Sequence, residues 1–489
     1  MRFKASWIVT LISLVAITLL NNACKKVKPL SAGGVLTFSE DTLKFDTVFT
    51  TQGSYTSGVM IYNPQGQEVT VSSVRLQNGA SSYFHLNVDG FPGNDISNLK
   101  IAPHDSIYVF ATVKIDPNDT LTPFLIVDHL IATMNGKDFS IPFTAYGQNA
   151  YFEVSDSFTT GNTTWATDKP HVVMHSCVVG PGATLTIPKG CRVYMHQDAR
   201  FFVYGLLYVN PTAGAPGEDS VVFQGDRLDR GYFLHKGYPG EWGGFYFAGG
   251  GGVFRNTTIK NCGASTPYHA YGIRPAAIEV DTTGKAILFN STIKNSIGYG
   301  LLGIQGNISA VNCLVHTCGA QTLAIIQGGA DTFINCTFAN YGTSEVAHNS
   351  DPTMAVLSYT PGTSSTAPIP GTLNALFTNC IVYGSLDSEF YCDNSGGGTA
   401  NLLMDHCIFG MGWKKPAFLQ TNVCKLGQAV TGFIDPKFSN PTNGDFRLSG
   451  TSPAIDAGLP LSWLPFDLLN KPRSTSGTTG NDMGCYQHQ

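Results

Sequence analysis

Asn256-Thr-Thr-Ile-Lys-Asn261 returns five times in altered form along the chain. The later versions are Asn290-Ser-Thr-Ile-Lys-Asn295, Asn312-Cys-Leu-Val-His-Thr317, Asn335-Cys-Thr-Phe-Ala-Asn340, Asn379-Cys-Ile-Val-Tyr-Gly384 and His406-Cys-Ile-Phe-Gly-Met411. Successive starts are separated by 34, 22, 23, 44 and 27 residues, a basic period of about 22 with insertions. One short strand recurring at this period marks a solenoid, in which each repeat buries its apolar side only by stacking on its neighbours.

The residue after the anchor is small (Thr257, Ser291, Cys313, Cys336, Cys380, Cys407). Two positions later it is large and apolar (Ile259, Ile293, Val315, Phe338, Val382, Phe409). A spacing of two places both on one face of a strand, here the inside. Successive parallel strands lie about 4.8 Å apart, so like stacks on like. The flanking asparagines suit turns, because Asn tolerates left-handed backbone. Asn261, Asn295 and Asn340 are expected to form an amide ladder at one corner. The pattern predicts an all-β chain whose main body, residues 149–440, is a right-handed parallel β-helix of about a dozen coils.

Composition agrees. Only 13% of the 489 residues are charged, and 54 are glycine, which favours strands and tight turns over long helices. A net charge of −5 lacks the basic footprint of a nucleic-acid binder.

Before the repeats, residues 35–148 alternate in short strands separated by Asn63-Pro64 and Asn78-Gly79 turns, which reads as a β-sandwich. Ile101-Ala-Pro103, Val113-Lys-Ile-Asp-Pro117 and Ile141-Pro-Phe-Thr-Ala-Tyr-Gly147 resemble the immunoglobulin-like domains of the ASPM–SPD-2–Hydin type. That resemblance implies a spacer or contact module. Gly182–Gly190, Phe202–Val209, Ser220–Gly225 and Glu241–Phe245 look like entry coils of bacterial parallel β-helix proteins. Gly444-Asp-Phe-Arg-Leu448, Ser452-Pro-Ala-Ile-Asp-Ala-Gly458, Asp467, Arg473 and Asp482-Met-Gly-Cys-Tyr486 are similar to a terminal signature of such proteins. Residues 441–489 are therefore expected to cap the open solenoid end.

Residues 1–23 read as a signal peptide, with Arg2 and Lys4 ahead of an apolar run too short for a spanning helix. Leu20-Asn-Asn-Ala-Cys24 resembles the lipobox of bacterial lipoproteins, implying a lipid on Cys24 and an outer-membrane lipoprotein facing either the periplasm or the outside. Residues 24–34 then form a polar tether. Cys177 with Cys191, or Cys392 with Cys424, are candidate disulfides, whereas Cys313, Cys336, Cys380 and Cys407 read as buried thiols.

For chemistry, the outward columns carry no carboxylate pair of the kind glycosidases use. Lys260, Lys294 and His316 fall in one column, either a basic stripe for an acidic glycan or a solvated face. Tyr232, Tyr238 and Trp242 are expected to be exposed beside Arg227 and Arg230, where sugar rings stack on aromatics. Asp387, Glu389 and Asp393, or Glu345, His348 and Asp351, offer calcium ligands; the alternative is ordinary polar loops. No cofactor besides calcium is indicated. These residues support glycan binding or a structural, adhesive role without catalysis. A polysaccharide lyase or glycoside hydrolase is the alternative, and an envelope protein partner a third reading.

Overall fold

The computed structural model describes residues 29–229, 237–265, 272–412, 414–428, 432, 434–474 and 480–488. The chain divides into two compact units at Gln148/Asn149.

The first unit is a β-sandwich of two five-stranded sheets. One sheet contains Ser57–Tyr62, Ser106–Val113 and Phe84–Val88, and the other Leu43–Phe49, Lys137–Gln148, Phe124–Met134, Val69–Leu76 and Asp95–Ile101. Period-two alternation sends Val59, Ile61, Val109, Ala111, Leu130, Ala132 and Phe143 into the core. Phe84 packs there between Phe45 and Phe143 at centroid distances of 5.7 and 5.6 Å.

The second unit is a parallel β-helix built around one 26-stranded sheet. From Arg192–Met195 to Met354–Leu357 the strands pair three places apart in the chain, so these coils have three faces. Tyr151–Thr164 and His171–Ile187 each run through all three faces. On the first face nine strands follow them: Arg192–Met195, Val221–Gly225, Thr257–Cys262, Thr292–Ser296, Leu314–Cys318, Thr337–Asn340, Ile381–Gly384, Ile408–Met411 and Lys425–Gln428. That makes eleven layers among the described residues. Both large insertions contain a second-face strand in register, Met354–Leu357 and Phe390–Asp393, so neither breaks the stack.

The register is the one the repeat predicts. Ile259 pairs with Ile293, Ile293 with Val315, Val315 with Phe338, Phe338 with Val382 and Val382 with Phe409. Cys313, Cys336, Cys380 and Cys407 form a single interior file that Cys424 extends, and the thiols of the last four donate to carbonyls of the coil before: Cys336 to Ala310, Cys380 to Phe333, Cys407 to Phe377 and Cys424 to Met404. Burial pushes the Cys313 and Cys380 thiols up. All eleven described cysteines are free, so neither candidate disulfide is formed. Aromatic rings fill the earlier coils: Phe201 on Phe245 at 5.0 Å, and Phe245 against Phe254 at 5.1 Å.

The anchor residues Asn256, Asn290, Asn312, Asn335, Asn379 and His406 all have φ between 42° and 56°, the left-handed region that asparagine tolerates. Their side chains link coils: Asn312 donates to Asn290 at 2.9 Å, and Asn379 to Asn335 at 3.0 Å. At the other end of the strand Asn295 donates to Asn261 at 2.6 Å. That second ladder stops there, because Thr317 holds the next left-handed corner and Asn340 instead donates to the carbonyls of Cys318 and Ala320.

The C-terminal segment differs from the expected end cap. It lies along the flank, where Phe438, Phe446, Leu448, Ala454, Leu468, Met483 and Cys485 cover the outward side chains Leu314, Ala339, Ile381 and Ile408. The reason is legible in hindsight. From the third repeat onward the outward column carries Leu314, Ile381 and Ile408, and an apolar outer face must be covered.

Candidate functional site

The corner that follows each first-face strand carries most of the insertions: residues 226–243, 263–275, 341–353 and 385–389. The polar side chains of the described loops gather there, coil above coil.

In the fourth coil, Asp226, Arg227, Tyr238 and Glu241 line a recess of about 180 Å³ together with Gln197 of the coil before. His196 Nδ1 lies 2.7 Å from Asp226 Oδ2, and this bond is the main reason the imidazole titrates above its ordinary range. His175 pairs likewise with Asp198. Arg227 is held by Asp229 in a two-pronged contact of 3.1 and 2.8 Å. Glu241 accepts from Asn261 at 3.3 Å. Its backbone N–H donates to the Asn261 carbonyl at 2.8 Å, which ties the loop to the next coil.

Lys260 stands beside this recess. It pairs in register with Lys294, and Lys294 with His316. Both lysines are half-buried, and Lys260 titrates below its usual range, first through burial and then through Lys294. Burial alone lowers Lys294. His316 departs from expectation. It is buried against Phe446 of the tail, 4.8 Å between rings, and burial, with Lys294 second, pushes it down to about 3. A neutral, covered imidazole offers a glycan nothing, so the basic column ends at Lys294.

Two further expectations are corrected. Trp242 is not exposed: it is fully buried, edge-on to Phe245 at 5.6 Å, and donates Nε1–H to the Lys260 carbonyl at 3.0 Å. The ring packs inside the coil against Phe223 and Phe245, while Tyr238 lines the recess. Tyr232 and Arg230 lie outside the described residues.

The calcium cluster also does not form. Glu389 is buried and saturated, accepting from the Thr353 N–H (2.9 Å) and hydroxyl (2.7 Å), from the Leu386 N–H (2.7 Å) and bonding His348 Nε2 (3.1 Å). Asp393 is taken by the Tyr359 and Ser395 hydroxyls at 2.5 and 2.6 Å, while Asp387 is exposed apart from both. Among the described residues no group of three or more His, Cys, Asp or Glu side chains is placed to hold a metal ion. His348 and Glu389 instead bridge the two insertions.

Sequence reasoning missed His196, Gln197, Asp226 and Glu241. They sit in turns whose lengths vary from coil to coil, so aligning strands does not bring them together. Aligning the corner that follows each strand would have done so.

No family model and no curated protein matches the chain. Among solved structures, the catalytic unit of a family 87 α-1,3-glucanase from Streptomyces thermodiastaticus is 10% identical over 77% of this chain and 84% of its own, with a TM-score of 0.28. A PapD-like domain of human CEP192 is 12% identical over 26% of this chain and 94% of its own, with a TM-score of 0.17. A family 123 glycoside hydrolase from Clostridium perfringens is 12% identical over 23% of this chain and 25% of its own, again at 0.17. Likenesses this distant say nothing about activity.

Proposed function

We propose that the protein is a glycan-binding β-helix of the bacterial cell envelope, tethered through a lipid on Cys24, which lies outside the described residues. The first-to-second-face corner is the binding flank, and its ligand is an acidic polysaccharide. One observation carries this reading. Glu241, which lines the recess with Tyr238, acts electrostatically on the ammonium of half-buried Lys260, and Lys260 pairs in register with Lys294. An aromatic edge beside two cations in register suits a uronate chain, ring against ring and carboxylate against ammonium.

Hydrolysis is less favoured. Asp198, Asp226, Asp229 and Glu241 are engaged by His175, His196, Arg227 and Asn261. A glycosidase acid needs a carboxyl raised towards neutrality and free to donate. One observation does favour a second reading, a polysaccharide lyase: Lys260 titrates low, which is what a proton-abstracting base needs.

The test is retention of the full-length protein on immobilised polygalacturonate and alginate, with Lys260→Ala and Lys294→Ala in parallel. Weakening in both variants supports the binding flank, and unchanged retention rejects it. Unsaturated products, followed by ultraviolet absorbance, would replace binding alone with the lyase reading.

A further inference from the structure

The sandwich carries a feature that the solenoid reading does not use. On Ser106–Val113 alternation buries Ile107, Val109 and Ala111 and turns Tyr108 and Phe110 outward, where they stay 53% and 44% exposed. Their ring planes lie within 4° of parallel at a centroid distance of 5.7 Å. Phe110 is opposite Gly58 on one neighbouring strand and Asn87 on the other. A Cβ at Gly58 would approach the Phe110 ring to 3.2 Å, so the absence of a side chain lets the ring lie against the strand. Beside the ring, Thr56, His85, Asn87 and Thr112 wall a recess of about 330 Å³.

The Oδ1 of Asn87 is shielded from solvent and accepts no hydrogen bond. Shielded acceptors are normally satisfied, so one lining a recess marks where a ligand donor fits. Filling the space over a bare glycine explains Phe110 alone. It explains neither the parallel Tyr108 nor the unmet acceptor.

We propose that this recess binds one sugar unit of a neutral polysaccharide. The hexose ring stacks on Phe110, with Tyr108 extending the apolar platform to the next unit. A hydroxyl donates to Asn87 Oδ1 once the amide turns towards the recess, and Thr56, His85 and Thr112 meet the remaining hydroxyls. The lining contains no lysine, arginine, aspartate or glutamate, so nothing there would neutralise a uronate. The site therefore differs in ligand class from the lysine-lined corner and does not depend on it.

The experiment uses the full-length protein in affinity electrophoresis through gels containing laminarin, soluble starch, galactomannan or xyloglucan. At least one gel is expected to retard the wild type. Phe110→Ala should weaken that retardation at least tenfold, and Asn87→Ala severalfold. Because Phe110→Ala also uncovers Gly58, its melting curve is measured alongside. Asn87→Ala removes an oxygen that bonds nothing in the protein, and so reports on contact without a folding cost. No retardation in any of the four gels overturns the proposal, and so does wild-type retardation of both Asn87→Ala and Tyr108→Ala.

Discussion

Arg473 donates from Nη2 to the Oδ1 of Asn312 at 3.0 Å, joining the tail to an anchor asparagine 161 residues earlier. The same guanidinium donates to the Gly484 carbonyl at 3.0 Å and to Asn481 Oδ1 at 3.3 Å. Asn335 reaches the carbonyls of Asp482 and Gly484, and Asn379 exchanges hydrogen bonds with Leu459 in both directions. The side chains that set the coil corners are thus also the sockets for the tail.

Replacing Arg473 by methionine keeps volume but removes these donors from a buried site. Charged hydrogen bonds contribute about 1.5–3 kcal/mol each, so a loss of about 3 kcal/mol is expected in urea melts. Limited proteolysis should cut residues 435–489 of the variant first. Wild-type protection of that segment would show that the apolar contacts alone hold it.

The thiol file makes a counting prediction. Among the described cysteines only Cys424 is not buried, so in native protein it should react ahead of the other ten. In denaturant, Ellman titration should give eleven thiols per chain if Cys24 carries lipid, and twelve if it does not. A smaller number would reveal disulfides and break the interior file.

Asp331 faces the core of the third face. Its Oδ1 accepts the Ile308 N–H at 2.8 Å, and its Oδ2 has no partner. Burial raises this carboxyl to about 7, against 3.8 for the unperturbed group. Between those values the folded protein holds a proton that the unfolded chain has lost. The stability that this group contributes is therefore fully present below about pH 4 and is lost as the pH rises to about 7. Three pH units correspond to about 4 kcal/mol at most. Asp331→Asn should flatten this dependence and melt higher than wild type at pH 8. Parallel pH profiles for the two proteins would contradict the assignment.

Lys260 is lowered by burial and by Lys294. Lys294→Ala removes the second cause, so Lys260 should titrate higher in that variant. NMR of reductively methylated, carbon-13-labelled lysines reads the shift directly. An unmoved Lys260 titration would mean that the two ammonium groups do not sense each other.

The interior was legible in the repeat because stacked coils force each column to share a size and polarity. Ile259 over Ile293 and Cys313 over Cys336 follow from spacing alone. The outside was less legible. Lys260, Lys294 and His316 share a column, yet the third is buried, because the covering ring of Phe446 comes from a segment with no counterpart in the repeat. Trp242 misled for a related reason: Gly-rich stretches hide which side alternation will choose. The recess at Asp226 and Glu241 arises from turns of unequal length, where no period operates.

The flank-bound tail has a consequence for how such a chain can change. Solenoids ordinarily gain or lose whole coils, since each touches only its neighbours. Here one strap spans the coils that begin at Asn312, Asn335, Asn379 and His406, with its sockets at fixed heights along the stack. Excising or duplicating a coil inside that span would displace every later socket by one layer, so the repeat number is locked there while the coils that precede Asn312 in the chain stay free to vary.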